Sequence, residues 1–285
     1  MRGLLALFAV TAFAQQVDYS KVEIKTTKLA PNFYTLEGQG GTIGVLAGPE
    51  GVLLVDSQFA PLTEKIVAAV HQISSAPIRF LIDTHVHPDH TGGNENLGKL
   101  GVTIFAREEL RARLIANKMP DAGLPVVTYS SPIVFHLNGE TVRAIPIPAA
   151  HTDGDTMVYF PVADVIMTGD FFRSLGYPNI DRANGGSLNG MIAGLNATIA
   201  RCGPATRVVP GHGAITDRAG LAAHVAMIIA IRDKVAKLVQ EGKTLPEVLA
   251  SHPTADYDAR VPGVGTTGDR FVGQLYAELS SPANH

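Results

Sequence analysis

The sequence predicts an α+β protein in which two β-sheets pack face to face and helices cover their outer surfaces. One observation is the order of elements: short β-like runs followed by helical patterns occur twice, without a letter-by-letter repeat. A second is that no low-complexity linker divides the chain, so one domain with two similar halves is expected. A third is composition: 285 residues, 46% hydrophobic and 17% charged, can bury a sizeable core.

The first half of the chain begins with strands and continues with alternating helices and strands. Gly and Pro residues separate the first four β-like runs, as is typical of hairpins. The expected strands cover residues 22–29, 33–38, 42–48, 51–57, 78–83 and 102–106, and the expected helices cover residues 62–74, 94–100 and 107–118. Residues 120–132 have a proline at each end and are expected to form a loop.

The second half repeats this order and ends in helices. The expected strands cover residues 133–138, 141–148, 156–163, 164–170 and 207–211, and the expected helices cover residues 188–202, 218–242, 244–251 and 269–279. The C-terminal part, from about residue 217 to residue 285, is therefore expected to be helical.

The N-terminus has the pattern of a secretory signal peptide over residues 1–14. Arg2 precedes an apolar run from Leu4 to Phe13, and Ala12-Phe13-Ala14 is a small-x-small cleavage triplet. The alternative is a buried first strand or helix. No later apolar stretch is long enough for a membrane helix. We therefore expect a mature domain, residues 15–285, that is periplasmic or secreted.

Charge and cysteine content limit which binding partners, disulfides and metal sites are expected. The formal net charge is −3 and no Lys/Arg cluster occurs, so neither nucleic acid nor a membrane surface is expected as a partner. The single cysteine, Cys202, excludes an intramolecular disulfide and a Cys-rich metal site. A small-molecule substrate is the expected partner, and the oligomeric state stays open.

The stretch THVHPDHTGG, residues 84–93, carries the strongest chemical signal. It places His85, His87, Asp89 and His90 directly after an apolar strand. Neutral imidazole suits zinc, and three protein ligands leave a fourth position open for catalysis. A cluster of surface histidines is the alternative, but polar groups crowded at a strand end are costly unless something binds them.

Three further side chains follow other predicted strands. His151 follows residues 141–148, Asp170 ends VIMTGD, and His212 follows RVV. Because one edge of a sheet can bring strand ends together, these side chains are candidates to complete two metal sites. The remaining internal histidines, His71, His136, His224 and His252, lie in no such motif and are expected to be surface or packing residues.

The motifs HVHPDH, AHTDGD, TGD and PGHG, in this order, resemble those of the metallo-β-lactamase fold superfamily. The resemblance implies a four-layer αβ/βα sandwich with two zinc ions in a groove along one edge. In the implied ligand set, His85, His87 and His151 hold the first metal, Asp89, His90 and His212 hold the second, and Asp170 bridges. Asp89 would also be catalytic, by orienting a metal-bound hydroxide and relaying its proton.

This resemblance implies an exported dizinc hydrolase that attacks an amide- or ester-like carbonyl. β-Lactamase-type activity is the first candidate. A lactonase or thioesterase is the alternative, because the TGD motif around Asp170 is typical of glyoxalase II-like and lactonase-like members. Lactamases with a cysteine at the second site do not match, since Cys202 lies away from every ligand position. A third possibility is a non-catalytic binding module of the same fold, in which one or more of the metal-ligating residues would be missing.

Other residues are candidates for supporting roles. Asp56 and Asp155 could orient a ligand imidazole, or could form turns or helix caps. Three loops, residues 36–41, 120–131 and 172–187, are expected to form the walls of the site. From the last two loops, Arg173, Tyr177 and Tyr129 are the candidate substrate contacts.

Overall fold

The computed structural model describes residues 17–261 and 263–281. In this part of the chain two β-sheets pack face to face, and helices cover the outer face of each, which gives the layer order αββα. The predicted α+β sandwich is therefore confirmed. The expected signal peptide, residues 1–14, lies outside the described residues.

The larger sheet contains seven strands in sequence order. These are β1 (Lys25–Ala30), β2 (Phe33–Glu37), β3 (Ile43–Leu46), β4 (Val52–Val55), β5 (Ile78–Ile82), β6 (Thr103–Arg107) and β7 (Val127–Tyr129). Pairing is antiparallel from β1 to β4 and parallel from β4 to β7.

The smaller sheet contains five strands in the order β12-β11-β10-β9-β8. These are β8 (Ile133–Leu137), β9 (Glu140–Pro146), β10 (Thr156–Phe160), β11 (Val165–Met167) and β12 (Arg207–Val209). Pairing is antiparallel from β8 to β11, whereas β11 and β12 are parallel.

The helices lie outside the two sheets. They are α1 (Thr63–Ile73), α2 (Pro88–Thr91), α3 (Asn94–Lys99), α4 (Glu108–Ala116), α5 (Leu188–Ile199), α6 (Arg218–Gln240), α7 (Leu245–Ala250), α8 (Ala255–Asp258) and α9 (Gly268–Leu279). None of these described helices is long and apolar enough to cross a membrane.

The central core lies between the two sheets. Along β9, Val142 and Ala144 are buried while Arg143 between them is exposed, because successive strand side chains point to opposite faces. The rings of Phe33 from the larger sheet and Phe160 from the smaller sheet lie 4.5 Å apart between their centroids. Burying one such phenylalanine stabilises the fold by roughly 2–3 kcal/mol.

The outer helices pack through residues at helical spacing. In α1, Ile66, Ala69 and Val70 are buried against the larger sheet. In α6, buried residues such as Leu221 and Val225 pack over the smaller sheet. Each helix therefore covers the sheet face that the central core leaves exposed.

The expected loop at residues 120–132 is partly wrong. Its residues Val127–Tyr129 form β7, which pairs with β6 in parallel as the edge strand. A strand of three residues is too short to show the alternation by which strands are recognised. The short helix α8 lies between the helices expected at residues 244–251 and 269–279, within the C-terminal part that was expected to be helical.

Parallel pairing positions the ends of the strands. The carboxyl ends of β4 and β5 lie side by side in the larger sheet, and those of β11 and β12 do so in the smaller one. Residues that follow these strands can therefore meet at one edge of the sandwich, as ligand sites of open α/β sheets do.

Candidate metal centre

The turn after β5 displays the histidine-rich stretch. His87 has an extended backbone, with φ −67° and ψ 146°, and caps α2, whose first residue is Pro88. Proline is favoured there because its fixed φ suits the first helical position. His85 therefore precedes the helix on extended chain, while Asp89 and His90 lie in its first turn.

Gly93 allows the chain to leave this turn close to β4. A Cβ atom at Gly93 would lie 2.6 Å from the carbonyl oxygen of Ser57, which is closer than real Cβ contacts. The glycine therefore lets the backbone after α2 approach the segment directly after β4, which contains Asp56 and Ser57.

The first group of candidate ligands consists of His85, His87, His151 and Asp170, whose ligand atoms lie within 4.8 Å of one another. The Nε2 atom of His151 is 2.9 Å from Nδ1 of His87. His85, His151 and Asp170 are buried. We call His85, His87 and His151 the first triad.

The second group consists of Asp89, His90 and His212, again with ligand atoms within 4.8 Å. The Nε2 atom of His212 lies 3.0 Å from Oδ2 of Asp89 and 3.3 Å from Nε2 of His90. We call these residues the second triad. The structure thus brings together all seven side chains that the sequence nominated as ligands.

The Asp170 carboxylate lies between the two triads. Its Oδ1 is 3.3 Å from Nε2 of His90 and 3.4 Å from Nε2 of His212, while its Oδ2 is 3.7 Å from Nε2 of His151. A Cβ atom at Gly211 would lie 2.0 Å from Oδ1, so a glycine is needed there. One carboxylate therefore contacts both triads.

Hydrogen bonds on the outer side of the imidazoles orient three of them. His87 Nε2 donates to Asp181 Oδ2 at 2.7 Å, His90 Nδ1 donates to Asp56 Oδ2 at 2.7 Å, and His151 Nδ1 donates to the carbonyl oxygen of Asn179 at 2.6 Å. These oxygens accept the hydrogen bonds, so the opposite ring nitrogens face the centre, where each can ligate a cation in its neutral form.

His85 is oriented through Thr84. The hydroxyl of Thr84 donates to Asp56 Oδ2 at 2.8 Å and accepts from His85 Nδ1 at 3.0 Å. The Nε2 atom of His85 and Oδ1 of Asp170 are then left buried without a hydrogen-bond partner among the described residues. Such groups are costly unless something binds them, and a divalent cation fits this set of nitrogen and oxygen donors.

The electrostatics also suit a cation. Burial holds the pKa of His85 well below its usual range and lowers the pKa of His151 to about 4, so both rings are neutral at pH 7. Burial opposes ionisation of Asp89, but the hydrogen bond from His212 and the charge of His90 outweigh it and lower this pKa to about 2. Metal ligands need these neutral imidazoles and ionised carboxylates.

His90 shows where a cation would replace a proton. Burial disfavours its charged form, but the carboxylates of Asp56 and Asp170 outweigh burial and raise its pKa well above the usual range. A divalent ion beside Asp170 would supply the positive charge that this proton supplies here, and its binding would release the proton.

Asp155 does not orient an imidazole. Its carboxylate accepts from the backbone N–H of His151 at 2.6 Å and from the hydroxyl of Thr152 at 2.6 Å. Asp155 therefore holds the turn that carries His151, which matches the alternative role of a turn former. Of the two candidate orienting residues, only Asp56 contacts an imidazole.

Two of the three candidate substrate contacts are placed elsewhere. Tyr129 is buried in the core between the sheets, where its hydroxyl lies 3.0 Å from Oγ1 of Thr156. Tyr177 is buried, and its hydroxyl donates to Asp258 Oδ1 at 2.5 Å. Both expectations were wrong, because each ring fills a core that sequence spacing does not reveal. Arg173 does lie beside the site, with its Nε 3.7 Å from Asp170 Oδ2.

An open groove of about 550 Å³ adjoins the second triad at His212. Its walls include Gly38 and Gly40 from the loop at residues 36–41, and Leu175 from the loop at residues 172–187. The third expected wall, residues 120–131, lines a different depression, to which neither triad contributes among the described residues. Two of the three expected loops therefore border a groove at the candidate metal centre.

Sequence reasoning missed Asp181 and the carbonyl group of Asn179. Both belong to the loop at residues 172–187, which was expected only to contact substrate. Asp181 also accepts from Nδ2 of Asn184 at 2.6 Å, a short-range contact typical of turns. No local signal distinguishes such an aspartate from an ordinary turn former.

Comparison with known proteins assigns the family. The model of the metallo-beta-lactamase superfamily matches residues 36–225. The lactamase-like protein aptB from Emericella nidulans is 28% identical over 172 residues, which are 60% of this chain and only 50% of that protein. The metallo-beta-lactamase type 2 from Bacillus cereus is 25% identical over 181 residues, which are 63% of this chain and 69% of that enzyme.

A solved structure extends the similarity in fold. The sec-alkylsulfatase Pisa1 from Pseudomonas sp. superposes with a TM-score of 0.69 at 16% identity, and the match covers 90% of this chain and 50% of that chain. At this identity the match concerns the fold alone. Because the family model spans about two thirds of the sequence and both groups of candidate ligands are complete, the chain belongs to the metallo-beta-lactamase superfamily of hydrolases.

Proposed function

We propose that this protein is an exported hydrolase that works with two zinc ions and cleaves an amide- or ester-like carbonyl. The observation that carries the proposal is the position of Asp170, whose carboxylate contacts His90 and His212 on one side and His151 on the other. A carboxylate shared by two triads suits a pair of metal ions rather than one.

The residues divide the two ions between them. The first triad would hold one ion and the second triad the other, with Asp170 between them. Imidazole nitrogen and carboxylate oxygen are ligands that zinc accepts, and each triad supplies three, as catalytic zinc sites do. When bound, zinc in such a pair polarises a carbonyl oxygen and makes water a nucleophile at neutral pH.

Asp89 is the residue best placed to handle a proton. Its side chain is 25% exposed, whereas that of Asp170 is 4% exposed, so a water molecule can reach Asp89. Because its pKa is about 2, Asp89 is ionised at neutral pH and can accept a hydrogen bond from that water. We propose that Asp89 orients the attacking water and receives its proton.

The groove beside His212 is the proposed substrate site. Lys25 and Glu37 on its wall neutralise each other, with their charged atoms 3.4 Å apart, and Leu175 adds an apolar surface. On the other side of Asp170, Arg173 keeps its proposed role as a contact for a polar substrate group, since its guanidinium lies next to the ligand cluster.

A β-lactam ring is the first substrate class to test. The name of the Bacillus cereus relative and the proposed export support this choice, since β-lactams act outside the cytoplasmic membrane. Lactones and thioesters form the second class. Asp170 favours this second class, because the TGD motif that contains it resembles that of glyoxalase II-like and lactonase-like members of the superfamily.

The test combines metal analysis with a substrate panel. We expect two zinc ions per chain, and hydrolysis of at least one compound among nitrocefin, a penicillin, a carbapenem, a lactone and a thioester. At saturating zinc, Asp89→Asn should lose about tenfold or more activity even when two ions are bound. Asp256→Asn is the matched control, because Asp256 is exposed and pairs with Lys234.

Two results would contradict the proposal. One is a single ion at saturating zinc, with Asp170→Ala unchanged in metal content, which would remove the bridging role. The other is an Asp89→Asn variant that carries two ions and hydrolyses its best substrate as fast as the parent. In that case Asp89 would not orient the water.

Export is tested separately. Residues 1–14 have the charge, the apolar run and the cleavage triplet of a signal peptide. We expect the exported protein to begin near Gln15. Intact-mass measurement of secreted material that retains Met1 would contradict this part of the proposal.

A further inference from the structure

A second groove lies on the other side of the segment that follows Asp170. Its volume is about 300 Å³, and its walls come from residues 172–176, from the first half of α6 and from residues 257–261. We call it the arginine groove, after Arg173 and Arg260. Its wall at residues 257–261 lies beyond residues 36–225, which the family model matches.

Arg260 gives the groove its uncompensated positive charge, because Arg173 is paired with Asp170. Among the described residues, no aspartate or glutamate lines it. The Nε atom of Arg173 is buried without a hydrogen-bond partner in the described structure, and Asp170 is 3.7 Å from it. Arg260 lies over the ring of Tyr257, 5.1 Å from its centroid. Arg260 also donates to the backbone carbonyl oxygen of Asp256 at 3.1 Å and pairs with no carboxylate among the described residues, so its guanidinium group is an attachment point for an anion.

The rest of the lining is apolar or neutral. Phe172, Met227 and Val261 contribute hydrocarbon surface. His224 packs edge-on against Phe172, with ring centroids 5.0 Å apart. Burial lowers the pKa of His224 to about 4, so the ring adds no charge at pH 7. Its Nε2 is buried and has no partner within the described ranges.

We propose that the arginine groove binds a small organic acid, with the carboxylate on Arg260 and an apolar body against Phe172 and Met227. A carboxylate matches the planar guanidinium fork, and the hydrocarbon lining favours an organic body over a bare inorganic anion. The volume holds about ten water-sized groups. Arg173, the proposed substrate contact, lies in the wall between this site and the hydrolytic one, but no residue of either triad lines the arginine groove within the described chain. A carboxylate on Arg260 would therefore not occupy the metal centre.

Octanoate is a suitable probe, since it combines one carboxylate with a short apolar chain, and octanamide is its neutral counterpart. Calorimetric titration of the metal-loaded protein should show octanoate binding about tenfold more tightly than octanamide, the effect of one charge-assisted hydrogen bond. Arg260→Gln should remove this preference. Arg232→Gln is the matched control, because Arg232 also lies in the C-terminal part of the chain but pairs with Asp233 outside the groove.

The titration also separates this site from the metal centre, to which a carboxylate could bind directly. Octanoate binding that survives Arg260→Gln but disappears after chelation of the metals would assign the ligand to the metal centre and overturn the proposal. Inorganic phosphate that binds as tightly as octanoate would overturn the organic acid as the ligand. Because no turnover is measured, failure here leaves the proposed hydrolase activity unaffected.

Discussion

Asp56 and His90 are joined by a hydrogen bond of 2.7 Å between Oδ2 and Nδ1, and both side chains are excluded from solvent. The other oxygen of Asp56 accepts from the backbone N–H of Thr84 at 2.7 Å. One carboxylate therefore orients an imidazole of the second triad and holds the turn that leads to His85. Asp56 itself adopts φ +65°, a left-handed conformation in which Asp and Asn are enriched.

Asp56→Asn should weaken the second metal site selectively. Asparagine tolerates the backbone conformation of Asp56, but its amide group places an N–H against either Thr84 N–H or His90 Nδ1–H. We expect about 10- to 100-fold weaker binding of the second zinc ion, as for other lost partners of ligand histidines. Stepwise zinc titration against a chelator measures the two affinities, with Asp256→Asn as the control.

Asp181→Asn should have the opposite selectivity. Asp181 accepts from Nε2 of His87, a residue of the first triad, at 2.7 Å. Loss of the Asp181 carboxylate should weaken binding of the first zinc ion by about 10- to 100-fold and leave the second triad intact. If Asp56→Asn and Asp181→Asn weaken the same step of the titration, the assignment of these partners to separate sites is contradicted.

Gly41→Ala should damage the second triad without changing any ligand. A Cβ atom at Gly41 would lie 2.1 Å from Cε1 of His90, whose ring is buried and held by Asp56. The clash should destabilise the fold by about 1–3 kcal/mol and weaken the second zinc site. Thermal unfolding and zinc titration measure the two effects.

Gly273→Ala is the matched glycine control. Gly273 lies within α9, and apart from the backbone of that helix no atom of the described residues lies within 4 Å of the Cβ position. This substitution should stabilise the protein by about 0.5–1 kcal/mol and leave zinc binding unchanged, because alanine favours a helix interior over glycine. If Gly41→Ala and Gly273→Ala lose equal stability and equal zinc affinity, the steric contact with His90 is not the cause of the loss.

His224 should make stability depend on pH. Burial lowers its folded pKa to about 4, below the unfolded value of 6.5. Between these values the unfolded chain binds more protons, so the free energy of unfolding should fall as the pH drops from about 6.5 to 4. His224→Gln should reduce this fall by about 2 kcal/mol. Water screens the partly exposed ring, so this is less than the full change in pKa would produce.

Denaturant unfolding of the parent and of His224→Gln at pH 4.5 and pH 7.5 measures this difference. Both proteins carry the same metal ligands, so the titration of the metal centre cancels in the comparison. Parallel changes in the unfolding free energy of the two proteins would show that His224 does not titrate with a lowered pKa.

The sequence by itself determined the layer order and the location of the candidate ligands. His85, His87, Asp89 and His90 lie within one short stretch, so their proximity follows from chain geometry. His151 and His212 follow strands whose apolar runs are visible in the sequence. Buried strands and helices leave local patterns, because side-chain periodicity depends on the backbone of a single segment.

Only the tertiary structure decided which residue supports which ligand. The partner of His87 is Asp181, 94 residues away along the chain, whereas Asp155, four residues from His151, contacts the backbone. Tyr129 and Tyr177 lie in segments that were expected to form site walls, yet both rings are buried in the core. A hydrogen bond or a buried ring depends on distances of a few ångströms between segments far apart in sequence. Those distances are set when the sheets and helices pack against one another, and local residue patterns do not contain them.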